Sequence, residues 1–180
     1  MKLLLDHNAD VHVHNTCGHT ALHCAAYGGH PDVSRIRILL ELNVEVNPRD
    51  DHGSTPLLIA SQYGPPDVVQ FLLDNNADVH ARDSDGDTLL HRAAIGGQLE
   101  VARLLLGLNM DVNSRNEKGS TPLHLAAAGV EEGHPDIVRL LLDHGADAEA
   151  RNLTGETASD VARGPQQEKI VQLLSQHAAA

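Results

Sequence analysis

Apolar residues recur along this chain in a paired pattern. Val68, Val69, Leu72 and Leu73 stand at i, i+1, i+4 and i+5, and Ile137, Val138, Leu141 and Leu142 repeat the arrangement. That spacing places four side chains on one face of an α-helix and predicts a half-buried helix at each site. Asn76 and Gly145 follow these runs, and both residue types accept the left-handed conformation that stops a helix. A shorter apolar run comes after Gly119-Ser120-Thr121-Pro122, where Leu123-His124-Leu125-Ala126-Ala127 continues it. Pro122 lacks a backbone N–H and has its φ preset, so it suits the first helical position. The residue before a proline is extended, which places Thr121 at the N-cap. His124 then falls at the third helical position, within reach of the cap. The alanines let a second helix approach closely.

Both patterns return along the whole chain. The cap threonines are Thr20, Thr55, Thr88, Thr121 and Thr157, separated by 35, 33, 33 and 36 residues. The helix-stop motif recurs as Asn8-Ala9-Asp10-Val11-His12, Asn43-Val44-Glu45-Val46-Asn47, Asn76-Ala77-Asp78-Val79-His80, Asn109-Met110-Asp111-Val112-Asn113 and Gly145-Ala146-Asp147-Ala148-Glu149. Each copy begins 12 residues before the next threonine. The turn between units therefore has a fixed length, and all length variation falls in the helical half.

A period near 33 with Thr-Pro-Leu-His and paired alanines resembles the ankyrin repeat. The resemblance covers nearly the whole chain. It implies an all-α solenoid of stacked helix-turn-helix units joined by hairpin-like β-turn loops. The segments read as 1–14, the second helix and turn of a partial repeat; 15–49, a repeat with two extra residues in its second helix, around Val33–Leu42; 50–82; 83–115; 116–151, with a three-residue insertion near Val130–Glu132; and 152–180, a capping repeat and tail. The partial first unit points to a fragment of a longer array, with Leu3, Leu4 and Leu5 short of cover. At the other end Ser159, Asp160, Gln166, Gln167, Glu168 and Lys169 read as a polar cap. In the second full repeat Leu58 replaces histidine and Ser61 replaces the second alanine, which predicts a weaker cap.

Composition narrows the functional classes. Hydrophobic residues make up 41% of the 180, enough for a core, but aromatics only 2%. A core of Leu, Val, Ile and Ala fits thin layers in series. A net charge of −12 argues against broad nucleic-acid or anionic-membrane binding. Two cysteines, Cys17 and Cys24, make no disulfide framework, and Cys24 reads as a buried helix thiol. With no long apolar run or signal peptide, a cytoplasmic protein is expected, the nucleus being the other compartment open to it.

Catalytic patterns are missing: there is no phosphate loop, nucleophile elbow or Cys/His pair in a recognisable setting. Asp32, Asp67 and Asp136 are copies of one helix-start position, where a carboxylate favours the dipole. The expectation is no enzyme, no cofactor and no small-molecule substrate. Of the 13 histidines, His23, His91 and His124 read as cap residues, as Thr20, Thr55, Pro56, Thr88, Thr121, Pro122 and Thr157 do. His30 and His134 fall at interhelix turns, and His144 before a helix stop. His12, His14 and His19 cluster with Cys17, a soft N/S set, but without a metal-binding spacing, so no metal is expected.

The turn tips carry the candidate chemistry. One position before each turn Asp or Asn stand His14, Arg49, Arg82, Arg115 and Arg151. Stacking would align them in one column able to engage partner carboxylates or phosphates. The resemblance implies protein binding through a concave face made of turn tips and first helices. By position that face holds Thr16, His19, Tyr27, Asp51, His52, Ser54, Gln62, Tyr63, Ser84, Asp85, Asp87, Ile95, Glu117, Lys118, Ser120 and Ala128. Tyr27 and Tyr63 are the expected anchors. The resemblance also implies that Asn113 could be hydroxylated. The function expected is non-catalytic protein–protein interaction; the alternative is an architectural or sensor segment of a larger protein.

Overall fold

A computed structural model describes residues 10–11, 13–27, 33–129 and 133–178. Ten helices follow one another among them: α1 (Ala21–Ala26), α2 (Val33–Glu41), α3 (Pro56–Tyr63), α4 (Pro66–Asp74), α5 (Leu89–Ile95), α6 (Leu99–Gly107), α7 (Pro122–Ala128), α8 (Pro135–Asp143), α9 (Ala158–Val161) and α10 (Gln167–Ala178). The odd-numbered helices stack in one layer and the even-numbered in a second. No strand forms among the described residues; only His14 and Thr20 make an isolated antiparallel bridge.

Local chemistry explains the helix starts. Thr20, Thr88 and Thr121 are extended N-caps whose backbone N–H donates to Nδ1 of His23 (3.1 Å), His91 (3.3 Å) and His124 (3.2 Å). Each imidazole then extends to the following repeat. Nε2 meets the carbonyl of Ser54 at 3.0 Å, Ser120 at 2.9 Å and Glu156 at 3.0 Å. A neutral ring with its proton on Nε2 satisfies both ends, accepting at Nδ1 and donating at Nε2. The second full repeat lacks this device. Leu58 is buried, and the Thr55 hydroxyl accepts from the Leu58 N–H at 3.3 Å. In the last unit Asp160 takes the histidine's place and accepts from Thr157 N–H at 2.9 Å.

The helix stops follow the sequence expectation. Asn43, Asn76, Asn109 and Gly145 have φ of 56°, 65°, 58° and 84°. Counted back from these stops, Val33 matches Pro66 and Leu99. The described part of α2 keeps the register of α4, α6 and α8, so the two extra residues lie between Thr20 and Val33. They fall in or beside 28–32, which together with His30, Asp32 and the Val130–Glu132 insertion lies outside the described residues. So do residues 1–9, with Leu3–Leu5, and His12.

One apolar cluster runs from Leu22 to Leu174. Each unit supplies a thin slice: Leu57, Leu58 and Ala60 with Val68, Val69 and Leu72, then Leu89, Leu90, Ala93 and Ala94 with Val101, Ala102 and Leu105. The short, alanine-rich odd-numbered helices pack more closely than the even-numbered ones, so the stack is concave on the α1–α9 side. In α10 Ile170 and Leu174 are buried while Gln167, Glu168 and Lys169 are exposed.

Cys24 departs from expectation. Its thiol is exposed, not buried. Arg92 and Leu125, at the same register, are only half-buried, so this position lies at the margin of the concave face.

The three bridging imidazoles give the fold a pH dependence. Burial holds His23, His91 and His124 below the usual histidine range, outweighing the opposite pull of their carbonyl partners. The unfolded-state value, about 6.5, is therefore above the folded one. As pH falls through about 6.5 the unfolded chain takes up protons that the folded chain refuses, and stability is lost. Tm should drop by about 2–5 °C between pH 7.5 and 5.5. His124→Gln should shrink that drop. Nitrogen-15 spectra at pH 6 should show all three rings as neutral Nε2–H tautomers; charged rings at that pH would contradict the arrangement.

Candidate interaction surface: concave groove and hairpin tips

Each hairpin is organised by one Asp or Asn side chain. Asn15, Asp50, Asp83, Asn116 and Asn152 all stand five residues before a cap threonine. The Oδ1 of each accepts two backbone N–H groups, from residues two and four further on. Asp50, for example, takes His52 at 2.9 Å and Ser54 at 2.8 Å. Asp83, Asn116, Asn152 and Asn15 repeat the geometry. Either residue type serves, since the demand is for one carbonyl-like oxygen. The hairpins are then joined tip to tip by backbone bonds: Asp51 N–H to Cys17 O (3.2 Å), Ser84 to His52 (2.9 Å), Glu117 to Asp85 (2.9 Å) and Leu153 to Lys118 (3.0 Å).

The arginine column exists, and it is bonded to backbone. The Nη1 of Arg49 donates to Gly53 O at 2.7 Å and to Arg82 O at 2.6 Å. Arg82 does the same to Gly86 (2.6 Å) and Arg115 (2.9 Å). Arg115 does so to Gly119 (3.0 Å) and Arg151 (2.6 Å), and Arg151 closes on Gly155 (2.6 Å). The guanidiniums of Arg49, Arg82 and Arg115 thus clamp their own hairpins to the next, while that of Arg151 bonds its own hairpin. None of the four pairs with a carboxylate among the described residues, so Asp50 and Asp83 do not neutralise them. Asp50 instead meets His19 Nε2 at 3.1 Å, and Asp83 pairs with Arg92, whose Nε lies 2.6 Å away.

On the concave side a groove of about 510 Å³ opens across the first three full repeats. Tyr27 and Tyr63, from α1's C-cap and the end of α3, stand together at it with ring centroids 4.6 Å apart. They are 55% and 44% exposed, so their faces are not used up in helix packing. His19, Asp50, His52, Ile59, Ser84 and Asp85 line the rest. Arg92 lies on the floor, bound to Asp83, 3.6 Å from Asp87 and 3.2 Å from the Gln62 side-chain oxygen. Its charge is therefore matched within the fold, and the exposed carboxylate among the lining residues is that of Asp85.

The expected site residues divide accordingly. Tyr27, Tyr63, His52 and Asp85 come together in the groove. Glu117 and Lys118 are exposed at the next tip, where Lys118 Nζ lies 3.2 Å from Asp85 Oδ1. Ile95 is half-buried at the end of α5. Asp87 is corrected: it is 5% exposed and accepts from Asn116 Nδ2 at 2.8 Å, so its carboxylate joins two repeats and is closed to a partner. Ser54, Gln62 and Ser120 are buried too. Asn113 donates to Gly145 O at 3.1 Å and accepts from Asp147 N–H at 2.9 Å, a tie between repeats. Among the described residues no group of three His, Cys, Asp or Glu side chains could hold a metal. No described helix is long and apolar enough to cross a membrane.

Several of these ties escaped sequence reasoning. The Asp or Asn five places before each threonine was a visible signal. The Arg92–Asp83 pair was not, because nothing in the order of residues brings a helix side chain under the hairpin of its own repeat.

Comparisons with known proteins follow the repeat pattern. A family model of three ankyrin-repeat copies matches residues 1–83 and again 75–152. A Mus musculus protein fem-1 homolog A-like is 37% identical over 70 residues, 39% of this chain and 10% of its own length. A probable E3 ubiquitin-protein ligase, XBOS32, of Oryza sativa subsp. japonica is 40% identical over 73 residues, 39% of this chain and 14% of that one. Serine/threonine-protein kinase 12 of Arabidopsis thaliana is 39% identical over 72 residues, 40% of this chain and 15% of that one. The chain thus spans a small part of the relatives it matches.

Replacing Arg82 by methionine removes two carbonyl bonds and keeps the aliphatic stem. Exposed bonds of this kind contribute about 1 kcal/mol in sum, so Tm should fall by about 2–4 °C. Hydrogen exchange should quicken at the hairpins of residues 83–87 and 116–120. An unchanged Tm would show that water replaces the clamp without cost.

Proposed function

Because the chain belongs to the ankyrin-repeat family, whose repeats generally mediate protein–protein interaction, we propose that it is a non-catalytic binding scaffold that holds a protein partner in its concave groove. One observation carries this reading: two tyrosines from adjacent repeats are exposed side by side at a groove whose other charged side chains are largely satisfied within the fold. A rigid aromatic pair offers large contact area at low entropic cost. His52, Asp85, Ile95, Glu117 and Lys118 form the rim of the proposed contact. The exposed guanidiniums of Arg49, Arg82, Arg115 and Arg151 extend it along the tips, since their remaining N–H groups meet no carboxylate among the described residues. Catalysis in longer relatives named as a ligase or a kinase is read as the work of other segments, because the matched part is at most 15% of their length.

A second reading is an architectural segment without a dedicated partner. It is favoured by the short share of each relative that this chain spans.

Crosslinked affinity capture from the native source separates the two. The double variant Tyr27→Ala/Tyr63→Ala should keep its helical spectrum and Tm and lose partner affinity by about 30-fold or more, the scale of a central hot spot. Equal capture by wild type and double variant would remove the groove from the account. Capture that is lost only on adding Arg82→Met would move the contact to the tips.

A further inference from the structure

On the side away from the groove, one repeat junction lacks a tie that its neighbours have. Asn47, His80 and Asn113 occupy one register position, 33 residues apart. The Asn47 carboxamide donates from Nδ2 to Asn76 O at 3.2 Å and accepts Asp78 N–H at 2.8 Å through Oδ1. Asn113 does the same to Gly145 O and Asp147 N–H, at 3.1 and 2.9 Å. At the middle junction the matching pair is Asn109 O and Asp111 N–H. Neither has a hydrogen-bond partner among the described residues, and the His80 ring makes no bond. An imidazole directs its donor and acceptor away from each other, whereas a primary carboxamide presents both side by side. The histidine therefore cannot make the two-point bridge.

A cavity of about 750 Å³ opens at this junction. Leu73, Val79, Leu108 and Met110 line it, and Leu108 is 49% exposed. Ser114 also lines it, and its buried hydroxyl has no hydrogen-bond partner. It shares no lining residue with the concave groove.

We propose that this notch binds a segment of a protein partner that inserts an Asn or Gln side chain beside an aliphatic residue. The carboxamide supplies in trans the bridge that Asn47 and Asn113 supply in cis, donating to Asn109 O and accepting Asp111 N–H. The aliphatic neighbour covers Leu108 and Met110. A trans peptide bond does not substitute, because its N–H and C=O point in opposite directions. This reading is independent of the groove: either surface can fail its test without affecting the other.

The test is a nitrogen-15 titration of the full chain with the capped dipeptide acetyl-Asn-Leu-methylamide. The Asp111 amide should shift downfield and saturably at about 20 mM peptide or below. Acetyl-Asp-Leu-methylamide, which has no N–H donor on its side chain, should bind about tenfold more weakly or worse. His80→Asn should close the bridge internally, raising Tm by about 2–3 °C and weakening peptide binding about tenfold. Leu108→Asp, a change at a half-exposed position, should weaken binding with the spectrum otherwise intact. The proposal fails if the Asn peptide moves no resonance of Asp111, if the Asp peptide binds equally, or if both variants bind as wild type does.

Discussion

No unit of this chain can bury its own apolar face. In the inner repeats a pair of helices of seven to nine residues contributes one thin slice of Leu, Val, Ile and Ala, and that slice becomes a core only when the next lies flat on it. Everything else follows from keeping successive layers in register. The imidazoles of His23, His91 and His124 do so at the helix caps, the arginine column at the hairpins, and Asn47 and Asn113 at the helix stops. The imidazoles and Arg49, Arg82 and Arg115 bond within their own unit and also reach the next, whereas Asn47 and Asn113 direct both side-chain bonds to the next unit. The same imidazole or guanidinium that shapes a repeat therefore also spaces it.

This double use separates architecture from specificity. A polar group engaged at both ends has little capacity left for a partner, which is why Asp87, buried between Asn116 and Arg92, is part of the stack rather than of the binding face. The positions left to vary are those whose side chains leave the stack. Tyr63 shows this at the end of α3, where it projects beside Tyr27 from the preceding repeat. His80 shows the reverse case, in which a change at a stacking position leaves two backbone groups without their bridge. Variation in a repeat array thus creates surface in two ways, by adding a side chain outside the stack or by withdrawing one from it.

Much of the arrangement was legible in residue order. The threonine and helix-stop spacings gave the repeat and the helix caps, because short-range chemistry repeats with the unit. The placement of the extra residues ahead of Val33 was legible only from the helix stop, since an insertion in a helical half does not announce which helix it enters. Cys24 was misread because its register position is apolar in Ile59 and Leu125 yet lies at the margin of the groove.

The order of residues alone determined the unit, its turns and the line of arginines, all of which depend on contacts within a few positions. Only the tertiary structure decided what those arginines hold, that the two tyrosines meet, and that Asp111 N–H lacks a partner among the described residues. These are contacts across about one repeat length, and their geometry depends on how closely two layers approach, a distance set by packing and not by any residue acting alone.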